Sequence, residues 1–308
     1  MPTTLRVHPV HTIHIVHSSP CGSHRHATDV FNSPAKAVII PAMETRDNDH
    51  AQSVPATPSL KAVVRYYGAA FAGWQVQSNE RTVQGVIEEA LSQIASHPVR
   101  VHGASRTDAG VHALGQVCSW QWNADADVAR LRRSLCKMLG PSVRIESLEW
   151  APDNFHPRKS AHSKRYAYVL HLARRPDPFL CRYAWTVPWR LDMDLLREMA
   201  ARVTGTHDFA GFQGGGSDVR NTVRTLFSVR LEEGVVVGPA ACAGSWRLVF
   251  HGDGFLYKMI RNITGTLVEI ARDHLPPSRL DELLAAPGPY HGFTAPPQGL
   301  FLVEVLYE

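Results

Sequence analysis

The chain has 308 residues, enough for one large domain or two of ordinary size, and with 44% hydrophobic and 19% charged residues it can bury a core. A formal net charge of +4 is compatible with a polyanionic partner without requiring one. Five widely spaced cysteines (Cys21, Cys118, Cys136, Cys181, Cys242) argue against a disulfide framework or a zinc site, and for reduced thiols in the cytosol. No apolar run approaches the roughly 20 residues that span a bilayer, and no basic-then-apolar leader is evident.

Residues 1–58 stand apart in composition. Seven of the 17 histidines fall there among Pro, Ser and Thr, without helical or strand periodicity. Such a tract can bind metal. The reading preferred is a dispensable segment, either a disordered tail or an upstream start-codon artefact with true initiation near Met43. From Lys61 the pattern sharpens: Ala62, Val64 and Tyr66 alternate with Val63, Arg65 and Tyr67, which predicts a strand ended by Gly68. After the loop Phe71-Ala72-Gly73-Trp74-Gln75, Thr82 caps a helix with Val83, Val86, Ile87, Ala90, Leu91 and Ile94 on one face. Strands are expected over 99–102 and 111–122. A helix carrying Val128, Leu131, Leu135 and Met138 follows, stopped by Gly140-Pro141, and then a strand over 143–150. This order is the split βαβ, ferredoxin-like arrangement.

The second half repeats the order. A strand over 165–172 precedes a helix capped by Asp192 and running through Leu195, Leu196, Met199 and Val203. A mobile or RNA-contacting loop over 209–224 holds Gly214-Gly215-Gly216, which match neither a Walker A nor a dinucleotide fingerprint. A hairpin over 225–231 and 245–251 leads to a helix over 255–273, with Phe255, Met259, Ile263, Leu267 and Ile270 on one side. Ser278 and Asp281 suggest a capping box for a short last helix, before a buried strand over 299–305. The expected fold is therefore α+β: two ferredoxin-like halves, 59–150 and 151–308, whose antiparallel sheets meet across a central cleft.

The most informative stretch is Arg106-Thr107-Asp108-Ala109-Gly110-Val111-His112-Ala113. On an extended backbone, Arg106 and Asp108 leave the same face, where a guanidinium can hold the carboxylate anionic, as a nucleophile or base requires. Gly110 supplies freedom for a tight turn. Taken physically, an Asx turn beside a solvated arginine is the plainer reading of these residues. The whole string, with Gly115-Gln116-Val117 after it, resembles the signature of the TruA family of tRNA pseudouridine synthases, with Ser105 in place of the family's first glycine. Further blocks of resemblance lie at 160–168, 255–267 and 299–307, and the likeness spans about residues 60–308. Ala109 between Asp and Gly is similar to the bacterial branch.

The resemblance implies that Asp108 is the catalytic aspartate, that Tyr166 stacks on the target base and is a candidate proton acceptor, and that Arg261 pairs with Asp108. It implies that Leu300 floors the uracil pocket. It further implies a cytoplasmic homodimer acting without metal or cofactor on uridines 38, 39 and 40 of the tRNA anticodon arm. Lys258 and Arg261, three apart on the expected helix, would share a face able to meet phosphate or carboxylate. Arg106 and Arg165 are candidate substrate contacts, the latter within a basic group of Arg158, Lys159 and Lys164; Arg130, Arg132, Arg133 and Lys137 form another. Competing readings are a tRNA-binding module without chemistry, a synthase for another RNA position, and a small-molecule lyase or hydrolase using Asp108 and Arg261.

Overall fold

A computed structural model of the protein describes residues 58–308, apart from 217–218, 238–243, 286–287 and 289. The expectations for the histidine-rich tract therefore lie outside the described residues. In the first half, β1 (Ser59–Tyr66), α1 (Val83–Ala95), β2 (His102–Gly103), β3 (His112–Gln121), α2 (Val128–Met138) and β4 (Val143–Trp150) follow one another. Thr82 caps α1, its side-chain oxygen accepting from the Gly85 N–H, and Asp127 caps α2 in the same way through Arg130. Alternation along β1 turns Leu60, Ala62, Val64 and Tyr66 towards one apolar cluster that includes Val83, Ile87 and Leu91 of α1 and Leu131 and Leu135 of α2.

The second half contains β5 (Ser163–Leu172), β6 (Trp185–Val187), α3 (Met193–Arg202), β7 (Gly205–Asp208), β8 (Val223–Glu233), β9 (Ser245–Gly252), α4 (Met259–Ala271), α5 (Ser278–Ala285) and β10 (Leu300–Leu306). Strand order through the sheet is β4-β1-β3-β10-β5-β9-β8-β7, with β2 on β3 and β6 on β5. Each half thus has the ferredoxin-like neighbour order: β4-β1-β3-β2 in the first, β10-β5-β9-β8 in the second. The halves join edge to edge. β2 has only two residues and covers β3 at His102↔Ser119 and Gly103↔Cys118, which leaves the start of β3 open. There β10 pairs in parallel, Phe301 with His112 and Leu302 with Ala113, while its other edge lies antiparallel on β5. No helix among the described residues is long and apolar enough to cross a membrane.

Four local expectations differ from the structure. The strand expected over 99–102 is β2 at His102–Gly103, where pairing with β3 begins. β6 and β7, three and four residues long, are too short to show alternation in sequence. α4 starts at Met259 rather than 255, because Lys258 takes a left-handed conformation at φ 58° that a helix cannot continue through. Ser278 lies within α5, and the Asp281 carboxylate accepts from Arg202 of α3 instead of completing a capping box.

Candidate active site

Asp108 lies in the loop that carries the chain from β2 into β3, and that loop is held from several sides. Trp74 donates its backbone N–H to the Thr107 carbonyl at 3.0 Å. This close approach depends on Gly73, which sits at φ 101° and whose missing Cβ would stand 2.8 Å from the same carbonyl oxygen. The Tyr66 hydroxyl meets Thr107 Oγ1 at 2.7 Å. Gln116, fully buried, accepts from the Ser105 N–H at 3.2 Å and donates to the Ser105 carbonyl at 2.6 Å. One side-chain amide thereby extends the β2–β3 ladder past the end of β2, where the Ala104 N–H already donates to the Val117 carbonyl at 2.8 Å.

Arg261 comes to this loop from α4. Twelve of the thirteen residues of that helix are buried, and Arg261 is the exception, its side chain 12% exposed. Its Nη1 donates to Asp108 Oδ2 at 2.8 Å, and Asp108 is itself only 15% exposed. Its Nε donates to the Ala295 carbonyl at 2.8 Å, and the Ala295 N–H returns a bond to the Arg261 carbonyl at 3.1 Å. Segment 293–295 can lie this close because α4 has Gly265 at the crossing: a Cβ there would stand 2.0 Å from the Phe293 oxygen. The guanidinium is thus fixed by a backbone carbonyl as well as by the acid, a two-directional arrangement suited to its planar fork.

β5 supplies Tyr166, whose ring meets Phe255 edge-on at 5.1 Å and whose hydroxyl lies 2.8 Å from Ser105 Oγ. Burial pushes the phenol well above its ordinary pKa. The Ser105 hydrogen bond opposes this and the charge of Asp108 adds to it, so the group stays protonated at neutral pH. Asp108, Tyr166, Phe255, Lys258 and Leu300 line one cleft of about 40 Å³. A larger cavity of about 840 Å³ lies behind the start of β3, between Tyr67, His112, Arg182 and Phe301. The carboxylate lining it, Glu146, is taken up by Arg144 at 3.2 Å. The smaller cleft is therefore the candidate site: a carboxylate bonded to a guanidinium, beside an aromatic ring and an apolar leucine.

Of the residues singled out in the sequence, Asp108, Tyr166, Arg261, Leu300 and Lys258 come together. Lys258 does so from the turn before α4 and not from a helical face shared with Arg261, and its Nζ lies 5.0 Å from the centre of the Tyr257 ring. Arg106 is exposed and lines the same cleft, but it makes no ion pair with Asp108 among the described residues, whose carboxylate is taken by Arg261 instead. Arg165 lies on the face of β5 opposite Tyr166 and pairs with Glu304. Gly214 is pinned: its N–H donates to the Tyr257 carbonyl at 2.8 Å, so this part of the glycine loop packs beside the start of α4. Sequence reasoning gave no role to Gln116, Ser105, Phe255 or Tyr66. For Gln116 a signal existed, an amide in the middle of an otherwise buried strand.

The sequence model of a family described as tRNA pseudouridine synthase matches residues 62–158 and 199–308. A tRNA pseudouridine synthase A 1 of Protochlamydia amoebophila (strain UWE25) is 38% identical over 253 residues, 80% of this chain and 96% of that protein. The chain belongs to the tRNA pseudouridine synthase family. It is accordingly an isomerase acting on RNA. A tRNA pseudouridine synthase A of Streptococcus sanguinis (strain SK36) is likewise 38% identical, over 254 residues, 80% of this chain and 98% of that protein. Among solved structures, a chain from a Cbf5-Nop10-Gar1 complex overlaps 68% of this chain and 53% of its own length, at 10% identity and a TM-score of 0.28.

Proposed function

We propose that this family member converts uridine to pseudouridine at positions 38, 39 and 40 in the anticodon arm of tRNA, with Asp108 as the catalytic group. The observation that carries the reading is the Asp108–Arg261 pair set beside Tyr166 in one cleft. The reaction cuts the bond between ribose C1′ and uracil N1, turns the base over and rejoins it through C5. Asp108 serves it either by attacking C1′ or by removing the C2′ proton to give a glycal. Arg261 holds the carboxylate in place, and Leu300 presents an apolar floor to the base.

An extruded uracil is larger than the cleft as it stands, so binding widens it, and stacking on Tyr166 supplies about 1–3 kcal/mol towards that work. This offsets much of the few kcal/mol lost when the base leaves its stack. Tyr166 also serves as the acceptor of the C5 proton in this reading. A phenol held neutral by burial takes up a proton only while giving up its own, so the partner of its hydroxyl matters. Arg106 and Lys258 reach for the RNA around the cleft. The same reading includes a cytoplasmic homodimer that grips one tRNA across both subunits.

Mapping pseudouridine in tRNA from a strain lacking the gene tests the proposal. Pseudouridine at 38–40 should vanish, return with the wild-type chain, and stay absent with Asp108→Ala. Unchanged tRNA in the deletion strain, or rescue by Asp108→Ala, would sink it, and pseudouridine lost at other positions instead would overturn the assignment to the anticodon arm.

A further inference from the structure

Ser105 stands where the related signature carries glycine, and its side chain makes a contact that a glycine cannot. Its Oγ lies 2.8 Å from the Tyr166 hydroxyl, across 61 residues of sequence, and this is the hydrogen bond of that phenol among the described residues. The backbone of Ser105 is fixed on both sides by the buried Gln116 amide, and its neighbour Ala104 is bonded to Val117. The hydroxyl is thus a fixed point and not a free rotor on a loop. Tyr166 is held at its other end by β5, between β9 and β10, and at its ring edge by Phe255. Without Ser105 the tip of the ring would be a buried hydroxyl lacking its partner.

We propose that Ser105 is a positioning residue for Tyr166: it fixes the tilt of the ring on which the base stacks and the direction of the phenolic O–H. The inference rests on the reading of Tyr166 as the base platform and proton acceptor. Gln116 belongs to the same device, since it immobilises the backbone from which the serine hydroxyl reaches.

The test uses the purified full chain and an unmodified tRNA transcript labelled with tritium at uridine C5, following tritium release. Ser105→Ala should lower kcat about three- to tenfold, the range expected for loss of one net hydrogen bond. The KM for tRNA should stay within about twofold, because the serine does not hold the RNA. Ser105→Thr, which keeps the hydroxyl, should recover most of the rate. An unchanged kcat in Ser105→Ala, a loss confined to KM, or a threonine variant as slow as alanine each overturns the proposal. Asp108→Ala, run alongside, separates the two levels. If it is inactive while Ser105→Ala matches wild type, only the role of Ser105 falls; if the wild-type chain releases no tritium, the functional reading falls as well.

Discussion

Arg261 shows why a charge of the right sign is not sufficient at this site. Nη1 is committed to Asp108 and Nε to the Ala295 carbonyl, so the two bonds together fix the guanidinium plane and, through it, the carboxylate. A lysine ammonium could reach one of these acceptors but could not set a plane between them. Arg261→Lys is therefore expected to keep the fold and lower kcat by about 10- to 100-fold, the scale of 1.5–3 kcal/mol for a hydrogen bond to a charged group. Steady-state kinetics on tRNA would check this, and a variant with wild-type kcat would show that charge alone is enough. Spacing could not have revealed this geometry. The guanidinium bonded to Asp108 comes from 153 residues away, while Arg106, two residues away, lines the rim of the cleft without pairing with the acid. Local pattern alone favoured an Asx turn at Asp108, and the resemblance singled out both the acid and Arg261.

Among the elements, His112 at the start of β3 works as a three-way tie. Its Nδ1 accepts from the Gly68 N–H after β1, its Nε2 lies 3.1 Å from the Arg182 carbonyl, and its ring stacks on Phe301 of β10 at 4.7 Å. Burial pushes its pKa down to about 4, against the smaller opposing effect of backbone carbonyls at Arg182 and Gln298. The folded pKa is lower than the unfolded value near 6.5, so between about pH 6.5 and 4 the unfolded chain binds a proton that the folded chain refuses. Stability should fall as pH falls through that window, by up to roughly 3 kcal/mol, with no such loss above pH 6.5. Urea midpoints measured from pH 8 to 4 would show it. The slope should be shallower in His112→Asn, which cannot take up the proton; equal slopes would remove the histidine from the account. Element boundaries were readable where the cause is local: the Thr82 and Asp192 caps, and the strand alternation of β1. They were not readable where the cause is tertiary. A lysine gives no local sign that it will sit at φ 58°, and Gly265 does not announce the chain that crosses it.

At the scale of the whole molecule, β10 makes the two halves into one object. The sequence suggested units at 59–150 and 151–308, and each half does have its own ferredoxin-like strand order. Yet the final strand of the second half pairs on one edge with β5 and on the other with β3, and one apolar cluster runs from Leu60 in β1 through Tyr166 in β5 to Val305 in β10. The site depends on this join, because Asp108 comes from one half, while Tyr166 and Leu300, which line the cleft with it, and Arg261, which pairs with it, come from the other. Opening either half would expose an unpaired edge of β10 together with the core beneath it, so separate unfolding is penalised by both lost pairing and lost burial. Equilibrium unfolding in urea should accordingly be a single transition, with tryptophan fluorescence, which samples Trp74 and Trp120 in the first half and Trp185 in the second, coinciding with far-ultraviolet circular dichroism. Leu302→Pro offers the sharper version. Leu302 is fully buried and registers with both Tyr166 and Ala113, so a proline there removes a ladder donor at the seam. The variant should lose activity and unfold in two steps or not fold at all, whereas full activity with one unshifted transition would mean that the halves hold together without the strand between them.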